Sequence, residues 1–285
     1  MVAFSTSIVL CSLNQKEYLQ DALDSILNQE QACVECVVVD FGSTDGSTAI
    51  LEVYRERIQF IPADAHSSSL EALNAAFRRT QGDAMLWLDA ADKLCPWACR
   101  LTTFVFECLP EVTWLTSSTP VAWSPSQFTI TDSLADGYAK IPFLQGRNLK
   151  TSSYFRHPIW RSGTFWRRSL WEASGSRVNY LLKDAGDYEL WIRFWQYADL
   201  TTLAIPLAGR QALAAQGDVN AYWRAAELHM QKNGAPSAPS QLTLALKSQL
   251  GRRIPSLRKR FTYPSPHVSI APSTEECAIA VHTIL

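Results

Sequence analysis

The stretch VVVDFGSTDGS, Val37 to Ser47, runs from three consecutive valines into an acid and then into a turn rich in glycine and hydroxyls. An unbroken apolar run of this kind reads as a strand buried on both faces, because only a half-exposed strand needs polar alternation. It delivers Asp40 into a turn where Gly42 and Gly46 relieve the backbone. Ser43, Thr44 and Ser47 supply hydroxyls where the next helix begins. A carboxylate at a strand end can accept hydrogen bonds from a base or a ribose, and amides at a helix start favour phosphate. The same residues also make an ordinary strand-to-helix turn with an N-cap, and both readings stand at this point.

The pattern repeats on either side. Ser7 to Leu10, Cys36 to Asp40, Ile58 to Ile61 and Ala84 to Asp89 are short apolar runs that end in small or acidic residues, and they read as strands. Between them, Tyr18 to Asn28 repeats Leu19, Ala22, Leu23, Ile26 and Leu27 at helical spacing, and Thr48 to Arg57 and Leu70 to Arg79 do the same. Such alternation predicts an α/β fold, a mainly parallel sheet covered by helices, with ligands beyond the carboxyl ends of the strands. Asp40 and Asp89 both lie at such ends. Further on, Pro96 suits the first turn of a helix running toward Cys108, and Val112 to Leu115 reads as another strand. Ser117 to Pro142 shows no period and reads as connecting loops. Asp184 to Tyr197 reads as a helix and Leu200 to Ile205 as a strand. Gln241 to Leu250 is a weaker helix, and the chain after Pro264 reads as poorly ordered. The expected organisation is a main domain over 1–225, a helical extension over 226–263 and a tail over 264–285.

Composition narrows the function. The 285 residues are 47% hydrophobic and 19% charged, enough for a sizeable core, and the formal net charge of −1 gives no global field to attract nucleic acid. Seven cysteines, an odd number with no charged-then-apolar leader at Met1, suit a reducing cytoplasm better than a disulfide framework. No apolar run reaches the length of a membrane span. Gly-x-Gly-x-x-Gly is absent, which lowers a dinucleotide dehydrogenase, and Gly-x-Ser-x-Gly is absent, which lowers an α/β-hydrolase. Cys33-x-x-Cys36 and Cys95-x₃-Cys99 fit buried structural cysteines better than a zinc site. Trp191 and Trp195, four apart on one helix, fit a core better than a sugar-binding wall.

Six segments together resemble glycosyltransferase family 2, whose members have the GT-A fold: SIVLCSLNQKEYLQDALDSILNQ from Ser7, VVVDFGSTDGS from Val37, EALNAAFRRTQGD from Glu71, WLDAAD from Trp87, GTFWRRSLWEASG from Gly163 and AGDYELWIRF from Ala185. They span about residues 5–225. The resemblance implies that Asp40 holds a nucleoside, that Asp89 and Asp92 form an Asp-x-Asp-like element gripping a diphosphate through Mn²⁺ or Mg²⁺, and that Asp187 is the general base. It makes Ser12, Asn14, Asp40, Gly42, Ser43, Asn74, Asp89 and Arg167 the donor-binding set. The implied reaction moves a sugar from a nucleoside-diphosphate sugar, UDP by default, to a hydroxyl acceptor that is a glycan or lipid-linked, with inversion, as in surface polysaccharide or glycoconjugate synthesis.

The chemistry is coherent. A diphosphate leaving group needs its developing charge stabilised, carboxylate oxygens are hard ligands for a divalent ion, and a second acid must take the acceptor's proton. Asp184 shares a helix face with Asp187 at i, i+3 and suits tuning or capping. Arg167 and Arg168 have forks suited to phosphate, or pair with an acid such as Glu172. The chain also departs from the family. Ala91 stands where an acid is common, which leaves open that Asp89 ends a strand and Asp92 caps a helix. Leu10 to Asn14 reads Leu-Cys-Ser-Leu-Asn in place of Thr-Pro-Ser-Tyr-Asn. His66 and Ser68 replace an Asp and a Gly, and Trp160, Arg161 and Ser162 replace a stretch rich in Gln and Glu. These departures support an alternative, a degenerate transferase-like domain that binds a nucleotide, glycan or protein partner without turnover. Arg252, Arg253, Arg258, Lys259 and Arg260 form a basic cluster suited either to anionic lipid headgroups at the inner face of the membrane or to a solvated face.

Overall fold

In the computed structural model, residues 3–30, 33–62, 68–119, 121–124, 127–130, 138, 140–146, 159–179, 185–211, 219–233, 266–271 and 278–283 are described. In chain order the elements are β1 (Thr6–Ser12), α1 (Lys16–Leu27), β2 (Val34–Asp40), α2 (Ser47–Val53), β3 (Gln59–Pro62), α3 (Ser69–Arg79), β4 (Ala84–Asp89), β5 (Asp92–Leu94), α4 (Ala98–Cys108) and β6 (Trp114–Ser117). They continue with β7 (Val121–Ser124), β8 (Gln127–Ile130), α5 (Lys140–Leu144), β9 (Thr164–Arg167), α6 (Arg168–Ala173), α7 (Gly186–Tyr197), β10 (Thr201–Leu203), β11 (Ala208–Gln211), α8 (Val219–Asn233), β12 (Pro266–Ala271) and β13 (Ala278–Thr283).

The β-α-β-α alternation of the first ninety-odd residues is realised as a parallel sheet. Strand β1 pairs in parallel with β2 on one side and β4 on the other. The register sets Ser12 beside Asp40 and Cys11 beside Asp89, so the strand ends carrying polar chemistry lie in one row. The main sheet has the order β13-β12-β10-β6-β9-β4-β1-β2-β3. It is mainly parallel, with β9 running antiparallel to both β4 and β6.

Both faces of the sheet are covered, which is why its strands are continuously apolar. Successive residues of β1 point to opposite faces. Val9 and Cys11 join a core with Leu73 and Phe77 of α3, Leu170 of α6 and Leu190 and Phe194 of α7. Ile8 and Leu10 join a second core with Leu19 and Leu23 of α1, Leu51 of α2 and Phe106 of α4. The tryptophans fill the first of these: Trp114 stacks on Trp191 with centroids 5.8 Å apart, and Trp195 meets Trp114 edge-on at 5.1 Å. A second, four-stranded sheet of order β5-β11-β7-β8 sets Asp92 opposite Arg210.

Several elements differ from the expectation. Strands β7 and β8 and helix α5 fall in the Ser117 to Pro142 region read as loops; short strands on a small separate sheet lack the run length that periodicity detects. Strand β9 was hidden in a Trp- and Arg-rich stretch, and β5 and β11 are too short to show a pattern. Helix α2 ends at Val53, after which Tyr54 N–H donates to Leu51 C=O and Arg57 N–H to Tyr54 C=O, turns tighter than an α-helix. Helix α8 crosses the expected boundary at residue 225, and the segment expected to be a poorly ordered tail carries the antiparallel pair β12 and β13, joined to β10 in parallel. The expected helix at 241–250 and the basic cluster at 252–260 lie outside the described residues, as do His66 and Asp184.

Gly82 tests how closely the sheet tolerates crowding. A Cβ there would lie 2.6 Å from both the backbone N and the Oγ of Ser7, whereas at Gly163 the nearest such atom is 3.9 Å away. Gly82→Ala is expected to lower stability by roughly 2 kcal/mol, the scale of overpacking a tight site, and Gly163→Ala by much less; urea melts of the two variants check this.

Candidate functional site

Asp40 is buried at the end of β2, and its carboxylate organises the turn that follows. Its Oδ1 accepts from Gly42 N–H at 3.0 Å and Ser43 N–H at 2.7 Å, and its Oδ2 accepts from Ser43 Oγ at 2.6 Å. Gly42 has φ of +91°, a left-handed backbone that a side chain would strain although no atom lies within 4 Å of its Cβ position. Asn14 locks this turn to the end of β1: its N–H donates to Ser43 Oγ at 2.8 Å and its Oδ1 accepts from Thr44 N–H at 2.8 Å. Ser12 lies between, and its buried Oγ has no hydrogen-bond partner. A buried hydroxyl without a partner is costly, and Ser12 stands in register with Asp40. Ser12, Asn14, Asp40, Gly42 and Ser43 are therefore one assembled corner.

Asp89, at the end of β4, is a third exposed and carries an arginine. Arg161 donates to its Oδ2 through Nε at 2.9 Å and Nη2 at 2.5 Å. The guanidinium carbon lies 4.6 Å from the ring centroid of Trp87, so the indole face supports the cation. On its other side Arg161 Nη1 lies 3.7 Å from Asp187 Oδ2. Asp89 and Asp187, nearly a hundred residues apart, thus share one guanidinium. Asp92, in β5, is buried and accepts a short hydrogen bond from Ser162 Oγ. Burial, and after it the charge of Asp89, pushes the Asp92 carboxyl up to about 7.

Asp187 opens α7. Its neighbour Gly186 packs against Val178 so closely that a Cβ would come within 2.6 Å of Cγ1, which lets the helix start deep in the fold. The carboxylate is buried; Oδ1 accepts from Tyr188 N–H at 2.8 Å and Oδ2 from Tyr222 Oη at 3.0 Å. Burial raises its pKa, with Arg161 and the two hydrogen bonds opposing. Burial lowers the proton affinity of Arg161, but the carboxylates of Asp89 and Asp187 outweigh that and leave its pKa raised.

Two members of the expected donor set are elsewhere. Asn74 spends its amide on the backbone of Val178, donating to the carbonyl at 2.9 Å and accepting from N–H at 2.7 Å. It clamps the loop after α6. Arg167 pairs in register with Ala84 at the start of β4, so it lies five residues, roughly 17 Å along the strand, from Asp89. It donates to the carbonyls of Val112, at 2.7 Å, and of Phe106, closing the C-terminal end of α4, and Arg168 donates to Gly82 C=O at 2.8 Å. Both arginines are at the amino end of β4. The arginine of the site is Arg161, which sequence reasoning missed. The signal was the direction of β9: an antiparallel neighbour of β4 places the residues before it, not those at its end, beside Asp89.

The residues fit a divalent ion poorly. Asp89 is committed to Arg161, Asp92 is buried on Ser162, and the carbonyl of the intervening Ala91 accepts from Trp123 Nε1 at 3.1 Å. Among the described residues no group of three or more His, Cys, Asp or Glu is placed to hold a metal. Beside Asp92 opens a cleft lined by Thr119, Tyr138, Trp160, Gly163 and Arg210. In it Arg210 lies over the Trp160 ring, 5.5 Å from the centroid, and the buried Thr119 Oγ1 and Trp160 Nε1 have no hydrogen-bond partner.

A parallel sheet with acids in a row at its carboxyl ends, closed by an antiparallel strand, is the architecture of GT-A glycosyltransferases, and the solved structures it resembles are of that fold. The S. aureus TarS 1–349 fragment in complex with UDP superposes with a TM-score of 0.62 at 17% identity, over 88% of this chain and 72% of that one. The mannosyltransferase PcManGT of Pyrobaculum calidifontis, solved with GDP-Man and Mn²⁺, gives 0.50 at 13% identity, over 92% of this chain and 84% of that one. Residues 7–96 match the family model of glycosyl transferase family 2. TuaG of Bacillus subtilis, a glycosyltransferase assigned by name to teichuronic acid biosynthesis, is 36% identical over 90 residues, which are 30% of this chain and 36% of TuaG. The teichoic acid poly(glycerol phosphate) polymerase of Staphylococcus epidermidis is 30% identical over 96 residues, 32% of this chain and 13% of the polymerase. The chain thus spans about a third or less of the length of these curated relatives.

Two outcomes follow. Arg167→Ala is expected to lower stability by roughly 2 kcal/mol, the scale of hydrogen bonds from a charged donor, and to leave nucleotide affinity unchanged, as read by urea melts and calorimetric titration. Asp92 holds its proton in the folded state to about 7, against 3.8 as the ordinary value. The unfolded chain therefore loses that proton first as pH rises, and the stability contributed by Asp92 falls between those two values and stays low above them. Asp92→Asn removes the titration, so its stability relative to the parent is expected to rise from about pH 4 to about pH 8 in urea melts.

Proposed function

We propose that the chain transfers a sugar from a nucleoside-diphosphate donor, UDP-linked by default, to a hydroxyl acceptor in surface polysaccharide assembly, with inversion at the anomeric carbon. The observation that carries this reading is the placement of the Asp40 corner and Asp89 at the carboxyl ends of the two strands flanking β1, with Asp187, at the start of α7, sharing Arg161 with Asp89. The Asp40 corner suits the nucleoside: a fixed turn and a carboxylate with acceptor capacity beyond its own turn. TarS was solved with UDP and with UDP-GlcNAc, which supports a nucleotide sugar as donor. The names of TuaG and the teichoic acid polymerase support a cell-surface polymer as the destination.

Asp187 serves as general base. Its backbone bond to Tyr188 and its bond from Tyr222 orient the carboxylate, and burial raises its proton affinity, which suits taking a proton from an attacking hydroxyl. Arg161 opposes that rise and keeps the carboxylate available in its ionised form. The cleft lined by Trp160, Tyr138 and Arg210 offers aromatic and charged side chains to an acceptor sugar. The residues given no support as metal ligands, Asp89 and Asp92, enter this reading through their partners. Among the described residues no helix is long and apolar enough to cross a membrane.

A second reading, binding without turnover, is favoured by both Asp187 oxygens already having partners within this chain. The two are separated by nucleotide release from UDP-GlcNAc, UDP-glucose and GDP-mannose. In the active case release is measurable with at least one donor, and Asp187→Asn is expected to cut it by about 10²-fold or more while leaving donor affinity within a few-fold. Equal loss of turnover and affinity in that variant would assign Asp187 a structural role. Nucleotide binding with no release from any donor would favour the binding domain.

A further inference from the structure

The position of Arg161 points to a function for it that goes beyond, and rests on, the donor-binding reading above: we infer that its guanidinium is the resident cation of the diphosphate site, so that donor binding needs no divalent ion.

Arg161 fills the space a cation would take. Its Nε and Nη2 are on Asp89, and its Nη1 faces Asp187 at 3.7 Å, so one planar ion answers two carboxylates brought from β4 and α7. Trp87 supports that plane from one face. The guanidinium is a third exposed and so is not sealed in the core. It carries five N–H donors in a fixed fork, of which Asp89 takes two, leaving donors to face phosphate oxygens. The remaining oxygens that an ion would recruit are already taken: Asp92 by Ser162, the residue next to Arg161, and the Ala91 carbonyl by Trp123. One three-residue turn, Arg161–Gly163, thus supplies partners to both acids of the LDAAD segment. A guanidinium held at the developing diphosphate stabilises negative charge as a metal would, without the metal's need for several free carboxylate or carbonyl ligands.

The test is calorimetric titration of the full chain with UDP, and in parallel GDP, in Mn²⁺ and in excess EDTA. The expected result is the same affinity in both conditions, within a few-fold. Arg161→Ala is expected to weaken UDP by about 10-fold or more, the loss of a charge-assisted hydrogen bond, with Arg161→Lys intermediate because it keeps the charge but not the fork. Mn²⁺ alone, followed by its electron paramagnetic resonance signal, is expected to stay free with the parent chain and to bind Arg161→Ala, where Asp89 is released. Thermal melts of both variants identify any loss of fold, and the EDTA comparison on the parent needs no variant. Nucleotide binding by the parent that requires Mn²⁺ overturns this inference and leaves the donor-binding reading intact. Unchanged UDP affinity in a folded Arg161→Ala also overturns it. No binding of either nucleotide in either condition overturns both.

Discussion

Strand β9 runs antiparallel between β4 and β6, and the arrangement of the site depends on that reversal. Were it parallel, Arg167 would stand near the strand ends and Arg161 on the far side of the sheet. Reversed, Arg167 lands beside Ala84 and the turn Arg161–Gly163 lands beside Asp89 and Asp92. The same reversal sets Thr164 against Thr116, whose hydroxyls lie 2.8 Å apart, so the polar end of β9 stays satisfied inside the sheet. Charge follows topology: Asp40 and Asp89 come from strands leaving the sheet at its carboxyl edge, Asp187 from the start of α7, and the cation from the turn that leads into β9.

Much of the first half of the chain was legible in its sequence because long strands and amphipathic helices announce themselves by period. The strands Thr6–Ser12, Val34–Asp40 and Ala84–Asp89 and the helices Lys16–Leu27 and Ser69–Arg79 lie where apolar spacing puts them. So does the burial of Trp191 and Trp195 in a core. The turn after Asp40 was legible as a turn, since Gly42 takes a left-handed backbone that favours glycine, while the sequence left open whether its hydroxyls serve a ligand or the turn alone. What did not show were elements of three or four residues, β5, β9 and β11, whose existence depends on partners far away in the chain. Arg161 and Arg167 look alike in a sequence. Which of them meets a carboxylate is decided by strand direction, and no local pattern carries that. Asn74, placed in the donor set by the family resemblance, spends its amide on the backbone of Val178, a contact that no local pattern shows.

The family match ends at residue 96, just past Asp92 and Leu94, while Arg161, Asp187 and Tyr222 lie beyond it. The matched part holds the corner built on Asp40 and the acid at the end of β4. The later part holds the groups that neutralise, orient or face that acid, drawn from β9, α7 and α8. A site divided this way lets the second part change its handling of charge while the first keeps its shape.

The tryptophan packing also has an optical consequence. Trp114, Trp166, Trp191 and Trp195 lie within several ångströms of one another in a dry core, so excitation passes readily among them and their emission reports whether the chain is folded. Trp87, under the guanidinium of Arg161, and Trp160, under that of Arg210, are indoles whose surroundings would change with a ligand bound at those cations. In the native protein a ligand signal therefore rides on a large constant background. Replacing a core indole would reduce that background, while replacing Trp87 would remove the chromophore closest to the charged centre.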